Sequence, residues 1–273
     1  MFKAVNLLVP LAPGEGDGEF HAPGIGEFLG LPALFFEGTP FEINRIILVR
    51  LIAIVIMLLL FYFGLRRAKR IPTRGQSIAE LGLDFVRVQI ADQVLGEKIG
   101  YRYLPLLAAM FYGIIAMNLT GMVPGLNIAG TALIGMPLVL GIVAYVVFIH
   151  AGIKRFGVGK FFKNSLLPEG VPWPVYIILT PVEFINIFIV RPFSLALRLL
   201  LNMMVGHLLL VLCFSATHFL FFTAGGWAGL FGVGTLLFGF VFTLVELLVA
   251  VLQAYVFTLL TSVYIQQAVV EEH

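Results

Sequence analysis

YLPLLAAMFYGIIAMNLTGMVPGLNIAGTALIGMPLVLGIVAYVVFIHAGI, residues 103–153, contains no Asp, Glu, Lys or Arg. A membrane span needs ~20 apolar residues, so this stretch holds two spans and a turn, with the turn at Gly121–Gly130 around Pro124. The same pattern continues on both sides. Ile46–Leu65 is apolar, interrupted only by Arg50, and ends in Arg66, Arg67, Lys69 and Arg70 with Pro72 just beyond. Lys154, Arg155, Lys160 and Lys163 follow the uncharged stretch. Trp173–Leu220 is largely apolar but holds Glu183, Arg191 and Arg198. Gly225 and Gly226 mark another turn, and Phe231–Val270 is broken by Glu246 alone.

Of the 273 residues, 60% are apolar and 12% charged, with mean hydropathy +1.03. A soluble domain is nearer ~45–50% apolar and ~25% charged. So little charge cannot cover a water-facing surface, which excludes a soluble enzyme. Cys213 is alone, which excludes a disulfide scaffold. The apolar stretches far exceed the ~10 alternating residues of a membrane barrel strand. The fold class is therefore all-α: a polytopic membrane protein with five transmembrane helices.

Basic residues favour the cytoplasmic side. Clusters follow the first and third spans, and Lys98 and Arg102 precede the second, which puts 66–102 and 154–172 in the cytoplasm. The turns at 121–130 and 223–230 carry no basic residue and lie outside. Five spans then place the N-terminus outside and the C-terminus, Glu271-Glu272-His273, in the cytoplasm. Arg45 and Arg50 sit at the outer end of the first span and can snorkel to the interface.

Two domains are expected: residues 1–44 and residues 45–273. The first holds Glu15, Asp17, Glu19, Glu27, Glu37 and Glu42 against Lys3 alone and is rich in Gly and Pro, an extended acidic outer segment. Met1–Pro13 has too short an apolar run for a signal peptide. The second is a single membrane-embedded helical domain. Within it Ile78, Leu81, Phe85 and Val88 fall at helical spacing in 77–94, and Ser77 with Glu80 fits a capping box. The reading is an amphipathic helix on the cytoplasmic membrane surface; a soluble loop helix is the alternative.

Charge inside hydrocarbon costs a few kcal/mol per residue even on the mildest scale. The informative residues are thus Glu183, Arg191, Arg198, His207 and Glu246, with Asn186, Ser194, Asn202 and Gln253 as polar companions. Arg198 sits in Leu195-Ala196-Leu197-Arg198-Leu199-Leu200-Leu201. A cation there can pair with a buried carboxylate, Glu246 or Glu183, and only hold helices together. It can also repel protons along a path. Ser194 and Asn202 lie one turn to either side of it, while His207 points nearly the opposite way. Glu246 and Gln253 share a face. Glu246 and His207 can both take up and release a proton, which suits a relay; a static hydrogen bond is the alternative. Glu183 lines a cytoplasmic inlet or lies at the interface. Asn118 and Thr120 line a wet cavity or cap a helix. His150 and His218 receive no role.

No sequence repeat is present, which argues against transporters built from two similar halves. There is no GxxxxGK[ST] loop, no GxGxxG and no metal-ligand spacing, so no cofactor and no metal are expected, and no nucleic-acid partner.

Arg191-Pro192-Phe193-Ser194-Leu195-Ala196-Leu197-Arg198-Leu199, followed by Asn202-Met203-Met204 and Gly206-His207, closely resembles subunit a of the Fo sector of ATP synthase. Met117-Asn118-Leu119-Thr120-Gly121-Met122-Val123-Pro124-Gly125 is similar to that family's outer turn. Glu246 through Leu252-Gln253-Ala254-Tyr255-Val256-Phe257 resembles its last helix, and Glu272-His273 a common ending. The resemblance covers roughly residues 40–273.

The resemblance implies a membrane stator beside a ring of c subunits, with a b-subunit peripheral stalk and the rest of the synthase as partners. The lipid bilayer surrounds it and protons pass through it. Arg198 matches the family's essential arginine, which attracts the deprotonated ring carboxylate and blocks leakage between two offset half-channels. Asn202, His207, Glu246, Gln253 and Asn118 match the outer half-channel; Glu183 and Ser194 fall to the cytoplasmic one. Many relatives carry Glu and His exchanged relative to His207 and Glu246, which keeps one carboxylate and one imidazole. Glu183 lies one residue further from Arg198 than in many relatives. The last two long helices are expected to tilt along the ring. The chain alone should catalyse nothing. A bacterial plasma membrane is expected, although an organelle-encoded protein of the inner membrane would also lack a targeting segment. Alternatives are a self-contained transporter with an Arg–Glu substrate site, a purely structural membrane subunit, and a sodium-driven form of the same machine.

Overall fold

The computed structural model describes residues 33–35, 43–65, 74–123, 129–166, 173–224 and 226–269. The described residues are almost wholly helical. A short antiparallel pair, β1 (Ala33–Phe35) and β2 (Ile43–Asn44), precedes the first helix. The rest of the acidic segment 1–44, the basic cluster Arg66–Arg70, Pro124 and the C-terminal Glu271–His273 lie outside the described residues.

The helices are α1 (Arg45–Leu65), α2 (Arg74–Val86), α3 (Glu97–Leu119), α4 (Gly135–Phe156), α5 (Val158–Leu166), α6 (Trp173–Ile185), α7 (Arg191–His218) and α8 (Ala228–Val269). Wider π-helical turns extend three of them: Arg87–Asp92 after α2, Asn186–Val190 between α6 and α7, and Phe219–Ala224 after α7. Five helical stretches are long and apolar enough to cross a bilayer: Arg45–Gly64, Glu97–Leu119, Gly135–Phe156, Val175–Thr223 and Gly229–Val269. They coincide with the five stretches read from the sequence, and the chain is a polytopic membrane protein.

Two glycines set the chain's short corners. Gly96 (φ 74, ψ 160) and Gly157 (φ 81, ψ 161) occupy a region essentially reserved for glycine. Each ends one helix and starts the next. Gly157 N–H donates to the Ile153 carbonyl at 2.8 Å, and its own carbonyl accepts from Phe161 N–H at 3.0 Å. Gly96 does the same with Asp92 and Gly100.

Where the sequence suggested a capping box at Ser77 and Glu80, α2 begins three residues earlier at Arg74. Glu80 instead accepts from Gln76 Nε2 at 2.7 Å, one turn back. The apolar positions Ile78 and Leu81 are 73% and 72% exposed and face away from the chain, whereas Phe85 of the same stripe packs on Phe111 and Tyr255 with centroids 5.7 and 6.3 Å apart. The buried residues of this segment are Gln76, Val86, Ile90, Ala91 and Leu95.

The chain resolves into two compact units. One draws on Met1–Ile56, Ile115–Leu133 and Leu201–Leu252. Its core packs Ala129, Ala132, Met203 and Ala250 with Met122, Leu133, Leu208 and Val249. Small side chains let backbones approach, which favours packing in lipid, where burying more hydrocarbon gains little. The Thr217 and Thr235 hydroxyls meet at 2.9 Å; one donates to the other, and the accepting hydroxyl can donate to a carbonyl of its own helix.

The other unit draws on Met57–Ile114, Ile134–Leu200 and Gln253–His273. An aromatic cluster of Tyr145, Phe148, Phe161, Phe162, Phe184 and Phe188 ties α4, α5 and the α6 segment together, with ring centroids 4.7–6.2 Å apart. The short helix α5, not foreseen from the sequence, docks through Phe161 onto Gly152, where any side chain would collide with the ring.

Candidate functional site

The arginine segment gets its geometry from α4 and from the turn that precedes it. Pro181 lies inside α6 and the π-helical turn Asn186–Val190 follows it, so α7 begins with its own helical phase at Arg191. Gly141 of α4 approaches so closely that a Cβ there would lie 3.0 Å from the Pro192 carbonyl oxygen and 3.5 Å from the Ala196 Cβ. Ala196 is buried at that contact, and Leu195 and Leu199 are buried on the same side of α7. The opposite face is left open. Ser194 and Arg198 lie on it, one turn apart, and both are exposed, as is Asn202 one further turn along α7. Phe193, Leu201 and Val205 are exposed beside them.

Arg198 makes no hydrogen bond or ion pair among the described residues. An ion pair does form elsewhere, between Arg87 and Asp92 at 3.3 Å. No carboxylate among the described residues forms an ion pair with Arg198. Arg191, seven residues earlier, is engaged. Its Nη1 donates to Gln267 Oε1 at 2.8 Å, and its guanidinium lies 5.3 Å from the centroid of the Tyr264 ring. Glu183 is half-buried and accepts from Asn186 Nδ2 at 3.5 Å, a long contact across the start of the π-helical turn. Gln253 is buried on α8.

The other unit gathers a second polar group. His207 is 7% exposed and Glu246 4% exposed. The sequence spacing placed His207 on the face opposite Arg198, and its burial agrees. Glu246 fits because residue 206 is glycine. A Cβ at Gly206 would lie 3.0 Å from Glu246 Oε1, 3.2 Å from Cδ and 3.4 Å from Cγ. The carboxyl thus rests on the bare backbone of α7. Its Oε2 is buried and has no hydrogen-bond partner among the described residues.

Asn118, at the end of α3, is buried with both ends of its amide engaged. Nδ2 donates to the Ala250 carbonyl at 3.3 Å, one turn beyond Glu246. Oδ1 accepts from Thr131 Oγ1 at 2.6 Å. Thr120 Oγ1 donates to the Met117 carbonyl at 2.6 Å and accepts from Gly130 N–H at 3.2 Å. Arg50 is bound by the loop at 130–133. Its Nε donates to the Gly130 carbonyl at 2.6 Å and Nη2 to the Leu133 carbonyl at 3.4 Å. Thr131 and the engagement of Arg50 carried no sequence signal, because both depend on a fold-back of the chain after Thr120. Gly206 stood in the quoted motif, but its steric role needs the neighbouring helix. His150 and His218 are both exposed; the ring of His218 packs on Phe222 with centroids 4.9 Å apart.

A family model described as ATP synthase A chain matches residues 47–266. A Rhodococcus erythropolis protein named ATP synthase subunit a is 46% identical over 256 residues, covering 93% of this chain and 93% of its own length. A Frankia alni protein of the same name is 39% identical over 263 residues, covering 95% of this chain and 88% of its own. One from Gluconobacter oxydans is 35% identical over 245 residues, covering 90% of this chain and 96% of its own.

Proposed function

The chain belongs to the ATP synthase subunit a family, and we propose that within the Fo sector it is the proton-conducting stator that couples transmembrane proton flow to rotation of a c-subunit ring. The observation that carries this reading is the state of Arg198: an arginine amid apolar residues, exposed, with no carboxylate of its own chain beside it among the described residues. An arginine stays charged under almost any condition. At bilayer depth that charge demands a counter-charge, and an exposed position asks for it from another chain. A carboxylate on each passing c subunit supplies one. At ~4 Å and an effective dielectric near ~20 the attraction is ~4 kcal/mol, enough to hold a deprotonated carboxylate and to repel a stray proton.

Two paths follow, offset along the ring. Protons from outside reach the ring by Asn202, His207, Glu246 and Gln253, with Asn118 in the wall. They leave to the cytoplasm past Glu183 and Ser194. Each charge crossing 100 mV releases about 2.3 kcal/mol. Arg198 converts that into rotation by denying protons a route that bypasses the ring. The chain itself catalyses no reaction; its partners are the c ring, a b-subunit peripheral stalk and the rest of the synthase.

Helix length supports a surface shaped for a ring. The 42 residues of α8 span ~63 Å, against a hydrocarbon core of ~30 Å. That excess length accommodates the tilt along a ring that the family resemblance implies. Bacterial relatives and the charge pattern support a bacterial plasma membrane, with the N-terminus outside and the C-terminus in the cytoplasm.

The test is ATP-driven proton pumping by inverted vesicles carrying the whole complex with Arg198→Ala. Loss of pumping with normal assembly is expected. Pumping near the wild-type rate would make Arg198 a packing residue and end the proposal.

A further inference from the structure

Glu246 is held in an unusual way. Its Oε2 has no hydrogen-bond partner among the described residues, and the carboxyl rests on Gly206. Its position is therefore set by the backbone of α8 and by packing, and whatever fixes that turn of α8 fixes the carboxyl. One turn further on, the Ala250 carbonyl accepts from Asn118. Asn118 is held in turn by Thr131 at 2.6 Å.

Thr131 adjoins Gly130, and Gly130 is gripped from three directions. Its N–H donates to the Met117 carbonyl at 2.9 Å and to Thr120 Oγ1 at 3.2 Å, and its carbonyl accepts from Arg50 Nε at 2.6 Å. A second Arg50 nitrogen reaches the Leu133 carbonyl at 3.4 Å, so one guanidinium brackets Thr131 on both sides. The bracketed hydroxyl, the amide it holds and the turn of α8 all belong to one compact unit. Arg50 is in no ion pair among the described residues; its role toward this loop is directional donation. A planar fork can serve two carbonyls at once, and a lysine ammonium on a flexible stem does so poorly.

We infer that Arg50 is a positioning residue of the outer proton path: it fixes the 130–133 loop, and through Thr131 and Asn118 the turn of α8 that presents Glu246. The inference rests on the stator reading, since it assigns Arg50 a part in a path which that reading places at Glu246.

The experiment uses whole complexes in membrane vesicles. Arg50→Lys, Thr131→Val and their double variant are compared with wild type, with Arg198→Ala alongside. Passive proton flow through the membrane sector is measured against the pH on the outer side, and the amount of this subunit is measured in the same vesicles. The expected result is about fivefold slower flow per complex in each single variant and a displaced pH midpoint, because the carboxyl is less well placed. The double variant should be no worse than the poorer single, as members of one chain of contacts do not add. A purely structural role would lower the amount of subunit and leave the midpoint unmoved, and that overturns the inference. Unchanged flow and midpoint overturn it too, as does a double loss equal to the product of the singles. If Arg50→Lys prevents assembly, Thr131→Val carries the same expectations by itself. An Arg198→Ala complex that pumps normally defeats the stator reading. An Arg198→Ala complex that does not pump, beside unaltered Arg50 and Thr131 variants, defeats this inference only.

Discussion

Gly206→Ala is a one-methyl probe of the proposed proton path. Carbon atoms rest ~3.5–4.0 Å apart at optimal contact, whereas the new Cβ would stand 3.0 Å from Glu246 Oε1 and 3.2 Å from Cδ. The carboxyl must retreat by a few tenths of an ångström. It is the free end of a flexible side chain, so the cost lies near that of an off-rotamer torsion, ~1 kcal/mol, rather than at the upper end of core overpacking. If Glu246 passes protons, ~1 kcal/mol on that step slows flow about fivefold. The assay is passive proton flow through the membrane sector, normalised to the amount of complex. Gly113→Ala is the control, because nothing lies within 4 Å of a Cβ there, and it should leave flow unchanged. Combining Gly206→Ala with Glu246→Asp shortens the acid and should recover part of the loss. Wild-type flow in Gly206→Ala, or a loss accounted for wholly by missing complex, would refute the reasoning.

Asn118→Ala strands the fully buried Thr131 hydroxyl and should lower stability by ~1–3 kcal/mol, read as a lower melting temperature of the purified complex. Gly157→Ala forces a side chain into a backbone region reserved for glycine and should cost ~1–3 kcal/mol; thermal melting checks it, and an unchanged melting temperature would contradict the corner described. Gly152→Ala collides with the Phe161 ring, so α5 should loosen from α4, seen as faster protease cleavage between residues 156 and 173.

The five spans were legible because a run of ~20 apolar residues matches the thickness of the bilayer core and little else in a protein requires one. Arg198, Glu246 and His207 were legible as expensive exceptions within those runs. Which way each would face was legible only in part. Spacing put His207 opposite Arg198, and the exposure of one and burial of the other agree. That Arg198 would find no carboxylate among the described residues of its own chain could not be read, since pairing is decided between helices. The π-helical turn Asn186–Val190 was equally hidden, because it shifts helical phase without an obvious composition change. The engagement of Arg50 by the 130–133 loop escapes the sequence for a related reason. Its spacing from the helix end says nothing of partners, and only the returning loop at Gly130 and Leu133 offers the carbonyls that bind it. Periodicity likewise marked Ile78, Leu81, Phe85 and Val88 as a stripe, but could not say whether chain or surroundings would meet it.

The barrier assigned to Arg198 is tested most directly with the ring taken out of play. A carbodiimide that modifies the c-subunit carboxylate stops rotation-coupled transfer, and proton flow is then driven through the membrane sector by an imposed potential. With Arg198 in place no flow is predicted. With Arg198→Ala a ring-independent leak is predicted. Equal tightness of the two blocked complexes would contradict the claim that Arg198 separates the two half-paths.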